Sequence, residues 1–145
     1  MSSARPVRFL RAAARHPGKE EELSKECLNP GGAAPALPLS HAVRANGFVF
    51  ISGQLPVTAS GEVPETFEGQ LRQVFANLEA ALEAAGSSLR KVVKTTVFLK
   101  DLNRFGELNE VYGEFFKSEP PARSAYEVAR LPKDALVEIE AIAVG

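Results

Sequence analysis

An α+β fold, with two helices on one face of a mixed sheet, is predicted by three observations. Only two stretches of this 145-residue chain carry the 3.6-residue apolar period of an amphipathic helix. The other apolar residues fall in short runs rich in Val, Ile and Phe, separated by Asn-Gly, Pro-Pro and Leu-Pro-Lys-Asp turn signals. Two helices are too few to cover both faces of the resulting sheet, so they pack on one of them. The order read from the sequence is β-β-α-β-α-β-β. An apolar second face is an argument for oligomerisation through the sheet.

Ser40 to Arg44 reads as the first strand. Asn46-Gly47 turns it back, because both residues tolerate positive φ. Phe48 to Ser52 is a continuous apolar run, as for a strand buried on both faces, and it stops at Gly53, where a ligand can approach the backbone. Pro64 to Ala85 is the clearest helix. Thr66 is its N-cap, Gly86 its C′ residue, and Phe67, Leu71, Val74, Phe75, Leu78 and Leu82 form one stripe. Val92 to Leu99 is β-branched and apolar, hence a strand. A second helix covers about 102–116, with Phe105, Leu108, Tyr112 and Phe115 on one stripe, and Pro120-Pro121 ends it. Arg123 to Ala129 is a strand, 131–134 a turn, and Val137 to Val144 the last strand.

The first 37 residues read as an extension and linker, and 38–145 as the domain. Residues 1–19 carry five basic residues and no acid, with arginines at three- and four-residue steps. That composition fits a frayed terminus or an amphipathic organelle-targeting segment, giving a cytoplasmic protein or a mitochondrial one in a eukaryote. The block from Lys19 to Glu26 reads as a short solvated helix. Asn29 to Pro38, with three prolines after Asn29 and two glycines, reads as a linker.

Charge and composition exclude several functions. The whole chain has 17 basic and 18 acidic residues; removing the five cations of 1–19 leaves 12 against 18, a balance of −6. Phosphate binding needs a broad basic face, so nucleic acid is an unfavourable partner. With Cys 1 and His 2, an internal disulfide framework and a Cys-based zinc site are excluded. Cys27 lies outside any catalytic pattern, and the adjacency of Ser40 and His41 means little, because strand neighbours point to opposite faces. No apolar stretch reaches the roughly 18 residues of a membrane span.

Charged residues inside apolar strands are the informative exceptions. Glu138 and Glu140 share one face of the last strand, where a carboxylate is costly unless solvated or paired, or serves acid/base chemistry. Arg123 follows Pro120-Pro121-Ala122 at the mouth of a strand, where a guanidinium can fork onto a substrate carboxylate. Ser52-Gly53-Gln54 offers a hydroxyl and an approachable backbone. A small site for an anionic substrate is as far as the residues themselves reach.

From about residue 38 to the end, the chain resembles the RidA/YjgF family. The likeness rests on ISGQLP at 51–56, NLEAALEAAGSSL, VVKTTVFLKDL, LNEVYGEFF and, above all, PPARSAYEVARLPKDALVEIEAIAV. It implies a chorismate-mutase-like α+β homotrimer with a site in each subunit cleft. It also implies a 2-iminobutanoate/2-iminopropanoate deaminase-type hydrolase, converting reactive 2-aminoacrylate-type enamines and imines to 2-keto acids and ammonia without metal or organic cofactor. By resemblance, Arg123 binds the substrate carboxylate and Glu138 activates water. Ser52, Gly53 and Asn109 line the pocket. Leu39 stands where the family usually has tyrosine, and Ala125 where many members have cysteine. A non-catalytic carboxylate-binding or regulatory protein of the same fold is the alternative, and an RNA-cleaving protein a weaker one.

One spacing argument concerns the site. If 123–129 and 137–144 pair as a hairpin around Lys133, Arg123 and Glu138 lie on the order of 15 Å apart. One small substrate then reaches both only through an offset hairpin or a second subunit.

Overall fold

A computed structural model describes residues 24–145. Eight principal elements follow the chain: β1 (Glu26–Leu28), β2 (Ala42–Ala45), β3 (Phe48–Gln54), α1 (Phe67–Ala84), β4 (Val92–Leu99), α2 (Phe105–Phe115), β5 (Ala122–Glu127) and β6 (Val137–Val144). They form one mixed sheet in the order β1-β2-β3-β6-β4-β5, antiparallel except for the β4–β5 pair. From β2 onward this is the predicted order, and both helices lie on one face.

α1 forms for local reasons. The Thr66 hydroxyl accepts from the Gly69 amide at 3.0 Å. At the other end Gly86, at φ 71°, lets its own N–H reach the Glu83 carbonyl while the Ser87 N–H reaches Leu82. Leu71, Val74, Phe75, Leu78 and Leu82 are fully buried against the sheet, where Val49, Val97, Leu99, Val137 and Ile139 meet them. α2 adds Leu108, Val111 and Tyr112. Phe75 ties the two helices together, stacked on Phe115 at 4.1 Å between ring centres and edge-on to Tyr112.

Four local readings are corrected. First, Phe48 to Ser52 is not buried on both faces. Val49 and Ile51 enter the core, but Phe48 and Phe50 are 43% and 45% exposed on the helix-free face, and the strand runs on to Gln54 through an irregularity after Ile51. A continuous apolar run reads the same whether the second face meets a layer of this chain or awaits another surface.

Second, β5 and β6 are not a hairpin. β4 lies between them, pairing parallel with β5 and antiparallel with β6. The connection after β5 passes through a tight turn in which Lys133 and Asp134 both adopt positive φ.

Third, Glu26 belongs to a strand rather than to a helix over 19–26. β1 pairs with β2, so the sheet begins before residue 38. Edge strands are chosen by backbone pairing, which leaves no apolar period to read. Fourth, the span 102–104 is a 3-10 turn, and α2 proper starts at Phe105. The basic stretch 1–19 with its targeting reading, and the start of the 19–26 block, lie outside the described residues.

Candidate active site

The sequence-predicted residues gather into two groups. Arg123 pairs with Thr95 across β5 and β4, and Ala125 with Val97. Thr95 and Val97 are fully buried under the helices, so Arg123 and Ala125 sit on the helix-covered face. The Arg123 guanidinium lies over two rings of α2, 4.7 Å from the centre of Tyr112 and 5.2 Å from that of Phe105. The Tyr112 hydroxyl is fixed in turn by the buried Thr95 hydroxyl at 2.7 Å. Burial pushes the Tyr112 phenol above its ordinary pKa, against the opposing pull of the Thr95 hydrogen bond and the Arg123 charge, so the hydroxyl stays neutral.

Among the described residues, no carboxylate comes within salt-bridge distance of Arg123. A guanidinium seated on two rings with no counter-ion keeps its N–H fork available for an incoming carboxylate. Asn109 lies exposed on α2, the helix that carries these rings.

The second group is centred on Glu138. It pairs with Phe98, and its neighbours Val137 and Ile139 are buried, so its carboxyl leaves the sheet on the open face. There it lies against Gly53. A Cβ built on Gly53 would overlap the Oε1 of Glu138 and come within 2.9 Å of its Cδ. Glycine is therefore the residue that lets the carboxylate fold over the end of β3. Burial holds the Glu138 carboxyl above the ordinary glutamate pKa, and the Glu140 charge on the same face adds to the rise.

Ser52 Oγ donates to the Ser40 carbonyl at 2.5 Å, so its free lone pairs can only accept from a ligand. Ser52, Gly53 and Leu39 all line a cleft of about 530 Å³ at this end of β3.

The two groups do not meet within one copy of the chain. Arg123 and Glu138 project from opposite faces, two strand spacings and about three residues of register apart, or about 14 Å between their backbones. Sequence reasoning missed the seat of Arg123. Phe105 and Tyr112 read as core stripe residues; the available signal was that both face the strand after Pro120-Pro121, where the lone arginine sits. It also missed most of the cleft wall, which comes from loops around residues 30–37 and 55–59 and from α1.

A sheet with helices on one face, an arginine on that face with no carboxylate partner among the described residues and a half-buried carboxyl on the other define the α+β class of this protein. The comparisons agree. The family model described as Endoribonuclease L-PSP matches residues 31–145. A RutC family protein of Pyrococcus horikoshii is 53% identical over 111 residues, covering 75% of this chain and 88% of that protein.

Among solved structures, the YjgF gene product of E. coli superposes with a TM-score of 0.77 at 44% identity, covering 82% of this chain and 98% of that one. RidA from an Antarctic Psychrobacter gives 0.77 at 43% identity, covering 83% and 99%. The chain belongs to the RidA/YjgF family. No helix among the described residues is long and apolar enough to cross a membrane.

Proposed function

We propose that this protein is an enamine/imine deaminase, acting on 2-aminoacrylate-type intermediates as a homotrimer with each site shared between neighbouring copies. The observation that carries the reading is the Arg123 guanidinium, held over Tyr112 and Phe105 with no carboxylate partner among the described residues. It is a ready anchor for the carboxylate of an imino acid. The opposite placement of Arg123 and Glu138 supports a shared site, in which a second copy supplies one of the two groups to a small substrate. The exposed rings of Phe48 and Phe50 on the open face support that association.

The chemistry needs little more. An imine carbon is electrophilic and requires a water aimed at it. Glu138, ionised, takes a proton from that water as it adds. The same proton then leaves with the amino group as the carbinolamine collapses to keto acid and ammonia. Burial raises the basicity of Glu138, which suits a carboxylate to this task. An enamine first takes a proton on carbon, for which the protonated form of Glu138 is available. Ser52 Oγ, restricted to accepting, suits the N–H of the iminium. Arg123 sets the distance between the reacting carbon and the water.

The test is keto acid and ammonia release from 2-aminoacrylate generated in situ. The wild-type protein is expected to accelerate it, and Arg123→Ala to lose about 10²- to 10³-fold in kcat/KM, as for removal of a charged hydrogen-bonding anchor. No acceleration by wild type would sink the reading; tight keto acid binding without turnover would replace it with the carboxylate-binding alternative. RNA cleavage, suggested by the family model's name, has no support in the −6 balance of residues 20–145.

A further inference from the structure

We infer that the cleft beside Gly53 receives the substrate's side chain, and that this chain prefers imino acids with large apolar side chains to the smallest ones. The inference rests on the deaminase reading and names its substrate class. The cleft holds about 530 Å³. A three-carbon imino acid has six non-hydrogen atoms and fills at most about a third of it, even allowing a water's volume for each. The remaining space is walled by Leu37, Leu39, Leu55, Val57, Ala59 and Ala80. Leu37 and Leu39 are 66% and 45% exposed, so their apolar surface is there to be covered.

Apart from the His41 ring, which has no hydrogen-bond partner among the described residues, the uncharged polar side chains of the wall are largely spent within the protein. The Asn77 amide donates to the Leu55 and Val57 carbonyls at 2.8 and 2.9 Å and accepts from Gln73 at 2.9 Å. Gln54 donates to the Ser52 carbonyl, and the Thr58 hydroxyl pairs with Ser60 and the Glu62 amide. Lys133 is the one charged residue of the lining and carries a long aliphatic stem of its own. A wall with committed polar groups and aliphatic side chains selects for size and apolarity.

Position ties the cleft to the chemistry. Gly53 lines it and is also the residue against which the Glu138 carboxylate rests. Glu138 itself does not line the cleft; a substrate whose reacting carbon faces Glu138 reaches it by passing its side chain around Gly53 toward Leu39 and Val57.

The experiment generates imino acids from alanine, leucine, phenylalanine and glutamate with an L-amino-acid oxidase and measures keto acid release above the spontaneous rate. The leucine- and phenylalanine-derived imines are expected to exceed the alanine-derived one in kcat/KM by at least about tenfold. Ala80→Leu adds bulk to the cleft from an exposed position of α1, with a good helix former. It is expected to lower that ratio by about tenfold. Equal rates, a preference for the alanine- or glutamate-derived imine, or a ratio unmoved by Ala80→Leu would overturn the inference while leaving the deaminase reading intact. Acceleration of none of the four would overturn both.

Discussion

The two faces of the sheet are built to different standards. Under the helices Val97, Leu99, Val137 and Ile139 are sealed in a continuous core, and even the buried Thr95 hydroxyl has its partner in Tyr112. On the open face Phe48, Phe50 and Tyr126 remain nearly half exposed, and two glutamates stand one above the other. Burying the pair Phe48 and Phe50 alone would stabilise an assembly by a few kcal/mol, at about 25 cal/mol per Å² of apolar surface. The contrast extends to the site. Arg123 is positioned by the closed side, on rings already locked into the core. Glu138 belongs to the open side, whose final environment depends on what covers it. Under the proposed deaminase reading, one half of the chemistry is fixed by folding and the other is finished by association.

The largest test of this division is complementation. Arg123→Ala and Glu138→Gln are each expected to be nearly inactive. If sites are shared in a trimer, co-expressing the two in equal amounts restores function wherever an intact arginine of one copy meets an intact glutamate of the next. Random mixing makes that about a quarter of the sites. Activity of the mixture is measured against the separate variants. A mixture no more active than its parts means that one copy holds the whole site, and the division fails.

A second test sharpens the open half alone. Gly53→Ala places a methyl where the Glu138 carboxylate now lies. Gly53 has no positive φ, so the backbone accepts alanine and the carboxyl group must move instead. A displacement of about 1 Å at a reacting group costs on the order of a hundredfold in kcat/KM. The loss should appear with little change in the thermal midpoint. A variant with full activity would show that Glu138 is not held by this contact.

Legibility in the sequence followed the range of the forces involved. α1 was legible from end to end, because its cap, its stripe and its terminal glycine are all local signals. Arg123 and Glu138 stood out for the same reason, as charges in apolar strands. What failed was non-local. β5 could not be matched to β4 rather than β6, because a parallel partner is chosen by the layout of the whole sheet. Phe48 and Phe50 could not be told from core, since burial by a helix and burial by another surface call for the same residues. β1 was invisible because Glu26, Cys27 and Leu28 are too few to show a period; backbone pairing, the Glu26–Arg44 ion pair and the packing of Leu28 against the core hold them in the sheet. The hairpin spacing and the strand register give similar separations for Arg123 and Glu138, but for different reasons: the register places a strand between them rather than a long hairpin.

The smallest expected effect concerns pH and reads the open face directly. Burial and the Glu140 charge both hold the Glu138 carboxyl above its ordinary pKa. The unfolded chain releases that proton at lower pH than the folded one. Glu138 therefore withdraws stability as pH rises from the ordinary carboxyl value through the raised one. The base must be ionised to act, so kcat/KM should climb with pH through the same raised value. Glu140→Gln removes the second cause and leaves the first. The acid limb of the kcat/KM profile should move to lower pH while burial keeps it above that of an exposed glutamate. A limb that stays in place would mean that Glu140 turns its charge elsewhere once the open face is covered. A limb that moves up would remove Glu138 from the role of base, because losing a neighbouring negative charge can only make a carboxyl more acidic.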